Sequence, residues 1–212
     1  MPWQKSFDPA DKLETAMRTF WARGYEATSV QDLVKATGLQ RGSLYATWGD
    51  KRGLFLAALG MYDDRVRKER LDALETMESP RAALTSMFFG FAERACAAER
   101  SMPSGCFLTN TALELADRDP AARQLVATAQ ADVEAFFLRL IKRAQAAGEA
   151  DPTLEPEDTA RGLLATLLGL LVLSRSRPEP PLLYGIARDA LTRLGPDATD
   201  SSITLYSKGD VS

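Results

Sequence analysis

The chain has 212 residues and a mass of 23.2 kDa, with 26 Lys and Arg against 29 Asp and Glu, a formal charge of −3 and a pI near 5.2. It contains no histidine and two cysteines. These counts exclude Ser-His-Asp and Cys-His catalysis, His-containing zinc sites and Cys-only zinc sites. Two thiols in a chain of this length point to a reducing cytoplasm, not to a disulfide scaffold.

The N-terminal stretch MPWQKSFDPADKLETA has no apolar core and no small-residue cleavage site, which predicts no signal peptide. Apolar spacing is helical almost throughout, and Pro and Gly divide the chain into about nine helices. Asp8-Pro9 opens the first, with Leu13, Ala16, Met17 and Phe20 as its apolar stripe and Gly24 as its stop. A second, short helix follows Ser29 and ends before Gly38, and a third covers residues 40–46. Asp50 caps a fourth that runs to Glu75. Ser79-Pro80 starts the fifth, which ends near Cys96. After the loop at 101–105, a sixth covers residues 106–116. Asp119-Pro120 opens a long seventh that ends at Gly148. The eighth begins near Pro156 and carries the run LLATLLGLLVL, Leu163 to Leu173, to Ser176. That run is too short for a spanning helix, which needs about 20 apolar residues, so no membrane is implied. The ninth covers residues 181–194, and the polar segment 196–212 reads as a mobile tail. The predicted fold is all-α: a helix-turn-helix unit over residues 1–50, then a sensing and dimerisation unit over residues 51–195.

Residues 24–55 read GYEATSVQDLVKATGLQRGSLYATWGDKRGLF. Two short helices flank Thr37-Gly38-Leu39, a tight turn with glycine where positive φ is needed. Val30, Leu33, Val34, Leu39 and Leu44 make the inner face. The outward residues Gln40, Arg41, Gly42, Ser43 and Tyr45 include no acid. Arg pairs bidentately with guanine and Gln with adenine in the major groove. Gly42 removes a side chain where a helix must approach a duplex closely. Ser29 presents a hydroxyl at a helix N-terminus, where phosphate binds favourably. Lys51 stands in the first turn of its helix, against the dipole, which an external phosphate would explain.

This stretch resembles the DNA-binding domain of TetR/AcrR-family transcriptional regulators. The matching positions are Thr28-Ser29, Leu33 to Gly38, Leu44-Tyr45, Trp48 and Lys51, over about 50 of the 212 residues. Thr47 departs from the His or Tyr frequent there, and Trp48 from the usual Phe. The resemblance implies a palindromic double-stranded DNA operator, with Thr28 among the DNA-binding residues, phosphates met by Ser29, Tyr45, Thr47 and Lys51, and bases by Gln40, Arg41, Gly42 and Ser43. The acidic balance does not oppose this. Residues 1–55 carry eight basic against six acidic side chains, net +2, and the remaining 18 basic against 23 acidic give −5.

The resemblance further implies a cytoplasmic homodimeric repressor, built through its last two long helices and released by an inducer held among the middle ones. Candidate interface residues are Leu164, Leu167, Leu168, Leu171, Leu183, Ile186 and Leu191, because a helix apolar nearly all round is buried on two sides. Candidate ligand residues are Phe88, Phe91, Phe137, Cys106 and Asn110. A thiol in the first turn of a helix has its thiolate favoured, so Cys106 is either an electrophile sensor, as in some relatives, or a packing residue. No enzyme activity and no cofactor or metal are implied. The alternative is a helical DNA-binding or interaction protein without a small-molecule inducer.

Overall fold

The structure is a computed structural model and describes residues 8–99 and 102–195. The 196–212 segment, expected to be a mobile tail, lies outside the described residues. The helices are α1 (Pro9–Arg23), α2 (Val30–Thr37), α3 (Arg41–Trp48) and α4, a rod over 51–75. They continue with α5 (Pro80–Cys96), α6 (Phe107–Leu115), α7 (Pro120–Ala146), α8 (Pro156–Ser176) and α9 (Pro180–Thr192). The rod α4 comprises α-helical Lys51–Tyr62, a π-helical segment Asp63–Lys68 and α-helical Glu69–Glu75. Among the described residues there is no strand. The all-α reading therefore holds.

Local chemistry sets the boundaries. Asp8, Ser79 and Asp119 each accept a backbone N–H as N-cap, and each is followed by Pro at the first helical position. Ser29 and Asp32 form a reciprocal capping box on α2: Ser29 Oγ accepts from the Asp32 N–H at 3.1 Å, and Asp32 Oδ2 from the Ser29 N–H at 2.9 Å. Gly38 closes α2 with φ +69°, and its N–H donates to the Val34 carbonyl. The expected third helix runs two residues further than its sequence signals suggested, to Trp48 before Gly49.

Two apolar clusters result. The first surrounds Phe20, Leu33, Leu44 and Phe55 and continues into Phe107, Leu115 and Val126, so the N-terminal helices share one core with α6 and α7. Phe55 meets Phe20 edge-on at 5.1 Å and Phe107 edge-on at 5.5 Å. Each such fully buried side chain contributes roughly 1.5–3 kcal/mol. The second cluster joins α5, α7, α8 and α9 around Phe88, Phe137, Leu140 and Leu163. By length and composition alone α8 could cross a membrane. Here it packs against α7, α5 and α9, with Leu163, Leu167, Leu170 and Leu171 buried.

Three sets of polar contacts tie α1 and the turn after it to the body, and a fourth joins α4 to the start of α7. Both Glu114 oxygens on α6 accept backbone N–H groups, from Glu26 at 2.8 Å and Tyr25 at 3.0 Å. Gly24, at φ +88°, leaves room for that carboxylate, which a Cβ would press at 2.9 Å. Arg52 grips Asp119 with Nε at 2.5 Å and Nη2 at 2.9 Å. The Trp21 indole N–H donates to the Ser104 carbonyl at 3.2 Å. The Arg175 guanidinium reaches the Trp21 and Ala22 carbonyls, both at 3.4 Å.

Asp119 gives this junction a pH signature. The Arg52 hydrogen bond, then the Ala122 and Ala121 N–H groups, lower its carboxyl to about 2 from 3.8. The unfolded chain binds the proton more readily, so this stabilisation is complete above the unfolded value and is lost as pH falls from about 4 towards 2. Urea midpoints measured through that window should fall less steeply for Asp119→Asn than for the wild type. Parallel curves would deny Asp119 this role.

Candidate nucleic-acid interface and ligand cavity

The turn Thr37-Gly38-Leu39 locks α2 against α3. Thr37 Oγ1 donates to the Leu33 carbonyl at 2.7 Å and accepts from the Leu39 N–H at 3.2 Å. Leu33, Leu39 and Leu44 are buried, which leaves Gln40, Arg41, Gly42 and Ala46 exposed and Ser43 half-buried on α3. Among the described residues no side chain caps α3, so its first N–H groups stay open to an external acceptor. A Cβ on Gly42 would meet nothing within 4 Å, so no packing within the chain demands glycine there. The Arg41 guanidinium lies 5.1 Å from the Tyr45 ring centre. This face offers hydrogen-bond donors and no acid, which suits base edges in a major groove.

The expected phosphate contacts divide. Ser29 is exposed, but its hydroxyl donates to Asp32 at 2.6 Å as well as capping α2. That hydrogen bond is the main reason the Asp32 carboxyl falls to about 2. Thr28 is a correction: it is fully buried and its hydroxyl donates to the Gly24 carbonyl at 2.6 Å, so it braces the α1–α2 turn and offers nothing to a surface. Thr47 donates to the Ser43 carbonyl at 2.9 Å, and Tyr45 is half-buried. Lys51 Nζ sits 4.2 Å over the Tyr25 ring, a partner within the chain that the sequence did not suggest. Two residues escaped the sequence reading. Ala46 presents a methyl group on the exposed face of α3. Gly53 lets α4 approach α3 so closely that an added Cβ would overlap the Trp48 carbonyl oxygen.

In the body, a cavity of about 570 Å³ opens between α4, α5, α7 and α8. Trp21 of α1 lines it, with Tyr62, Phe91, Cys106 and Leu168. The Tyr62 hydroxyl donates to Cys106 Sγ at 3.3 Å, and burial raises the Tyr62 phenol well above its ordinary 10. Cys106 stands at the N-cap position of α6, one residue before the expected first turn.

Of the candidate ligand residues, Phe91 and Cys106 line this cavity and three others do not. Phe88 and Phe137 are fully buried and stack on each other at 5.9 Å, as core. Asn110 lies beside Gly105, and its Nδ2 is buried without a partner among the described residues. The candidate interface leucines need correction too. Leu167, Leu171, Leu183 and Leu191 are buried within the single chain, because positions 163, 167, 170 and 171 form the inward stripe of α8 and residues 183 and 191 that of α9. Leu164 and Leu168 are half-buried and line the cavity, and half-buried Ile186 packs on the second cluster. The outward face of α8 instead carries Ala165, Gly169 and Val172.

Together, the fold and the exposed helix define a helix-turn-helix DNA-binding transcriptional regulator. The description "Bacterial regulatory proteins, tetR family" matches residues 13–58, and "Tetracyclin repressor-like, C-terminal domain" matches residues 83–183. The HTH-type transcriptional repressor ComR of Escherichia coli (strain K12) is 32% identical over 194 residues, covering 91% of each chain. An HTH-type regulator of Bacillus subtilis (strain 168), YezE, is 34% identical over 170 residues, covering 80% of this chain and 84% of its own. A cysteine mutant of the TetR family regulator CifR, solved with 26bp double-strand operator DNA, matches with TM-score 0.79 and 27% identity, over 91% of this chain and 99% of that one. The chain belongs to the TetR family of bacterial regulatory proteins.

Proposed function

We propose that the chain is a cytoplasmic homodimeric repressor that binds a palindromic operator and leaves it when a small molecule or electrophile enters the cavity. Residues 1–50 are the DNA-binding unit, and residues 51–195 sense and dimerise. The observation that carries this is Trp21: it belongs to α1 of the DNA-binding unit and also to the cavity wall, so a change in the cavity reaches the reading helices directly. Gln40, Arg41, Gly42 and Ser43 face bases, and Ala46 suits a thymine methyl. Ser29, Tyr45, Thr47 and Lys51 stand beside the phosphates. The repressor reading draws support from ComR and the operator from CifR.

One helix-turn-helix grips one half-site, so a dimer reads a palindrome. The small exposed residues Ala165 and Gly169, with Val172, offer a face for close helix approach between copies. Sedimentation of the operator complex should report two 23.2 kDa chains per palindrome. One chain per palindrome contradicts the dimer.

Release is a population shift, so the inducer must prefer the conformer that does not bind DNA. Cys106 supplies a covalent way to test it. N-ethylmaleimide on the Cys106 thiol adds bulk inside the cavity, at the sulfur that accepts the Tyr62 hydrogen bond. Treated wild type should lose operator affinity by about tenfold or more, a coupling of ordinary size. Cys106→Ser treated alike should keep its affinity. Equal behaviour of the two removes the thiol route.

A further inference from the structure

The cavity wall gathers more arginines than carboxylates. The rod α4 contributes Arg67 and Arg70, and α5 contributes Arg94. The Arg70 and Arg94 guanidiniums share one aromatic ring, Phe91, at 4.5 and 4.7 Å from its centre. Among the described residues neither has a hydrogen bond or an ion pair to a carboxylate. Glu69 and Glu99 also line the cavity, and both are exposed and unbonded to these arginines. Arg67 differs. Its Nε and Nη2 are held by Asp63 and Asp132, its side chain is only 9% exposed, and its Nη1 is buried with no acceptor.

Two like charges meet at this ring. Partial burial lowers the pKa of Arg70, and desolvation with the like charge of Arg70 lowers that of Arg94, a residue still exposed overall, to about 10. Contact with an aromatic ring leaves the guanidinium N–H donors of Arg70 and Arg94 open to an external acceptor. The rest of the wall is apolar: Leu164, Leu168 and Leu171 from α8, Val126 and Val133 from α7, and Met87 from α5. Its volume falls in the range of sites for small organic ligands.

We propose that this cavity takes an amphipathic organic monoanion, a carboxylate on an apolar body of roughly ten carbons. The carboxylate meets the Arg70 and Arg94 guanidiniums, and the body lies on the leucine wall. Planar carboxylates match the arginine fork, and charge-assisted bonds of this kind are the strong ones. The proposal rests on the cavity being the inducer site and adds the chemical class of the inducer.

The test is calorimetric titration of the full chain with decanoate, 1-decanol and decyltrimethylammonium below their micellar concentrations. These probes share a chain length and differ in the charge of the head. Decanoate should bind wild type about tenfold or more tightly than decanol, and the cation most weakly. Arg70→Gln/Arg94→Gln should lose decanoate by a similar factor and hold decanol unchanged. If the double variant does not fold, by its helical circular dichroism, the head-group ranking on wild type decides. Decanol binding as tightly as decanoate, an unaffected double variant, or no binding by any probe would overturn the assignment. Operator release is read separately. Decanoate that binds and leaves the operator complex intact contradicts the inducer reading and keeps the ligand class. Release by uncharged compounds alone does the reverse.

Discussion

Gly53→Ala should destabilise the protein by about 3 kcal/mol, the upper part of the ordinary range for overpacking. The added methyl carbon overlaps the Trp48 carbonyl oxygen, which is backbone and cannot rotate aside. That carbonyl also accepts the Asp50 N–H at 3.1 Å, and Asp50 caps α4 by accepting the Gly53 N–H at 2.7 Å. The clash therefore strikes the joint that fixes α3 on α4. A loss of this size lowers the melting temperature by roughly 6–12 °C in a chain of this length. Gly42→Ala is the matched control. Its Cβ meets nothing within 4 Å, and Ala is the better helix former by up to about 1 kcal/mol, so stability should hold or rise. Operator affinity should still fall, because the methyl stands on the face proposed to meet DNA. Thermal melts of both variants, with operator titrations well below the transition, separate the two glycines. An unchanged melt for Gly53→Ala would show that α3 and α4 can shift apart at little cost.

Arg41→Ala should lower operator affinity by about 1–3 kcal/mol and relax discrimination at one base position. Arg41 is the first residue of α3, exposed, and among the described residues its partner is the Tyr45 ring. An exposed cation–π contact contributes about 0.5–1 kcal/mol, so the fold should barely respond. The loss should be large on operator and small on random duplex, since a base contact carries sequence information and a phosphate contact does not. Titration of both duplexes at one salt concentration measures it. Equal loss on the two would make Arg41 a phosphate contact.

Helix boundaries were legible because their signals are local. Asp8-Pro9, Ser79-Pro80 and Asp119-Pro120 each act within three residues of themselves, and all three cap as their sequence implies. The helix-turn-helix was legible for the same reason: Gly38 and the leucines around it fix the turn without help from the body. Periodicity identifies which positions of a helix are apolar, yet not what covers them. Leu171 and Leu168 looked alike in the α8 run and both line the cavity, but Leu171 is buried at the inward stripe and Leu168 remains half-buried. Phe88 and Phe91 are separated by three positions, and only Phe91 reaches the cavity. Long-range polar contacts left no trace in the pattern. Glu114 finds the Tyr25 and Glu26 amides 89 and 88 positions away, and Arg52 finds Asp119 at 67. Arg94 stands three positions from Phe91 on α5, but Arg70 comes from α4, so its approach to that ring is a product of packing.

Selection of bound sequences from random double-stranded DNA tests the regulatory reading most directly. The wild-type chain should enrich an inverted repeat whose half-sites lie one helical turn or more apart, as two copies of α3 in successive major grooves require. Enrichment should weaken at one position of each half-site for Arg41→Ala. Binding that enriches no sequence and falls steeply with salt would contradict it, since backbone contacts alone behave that way.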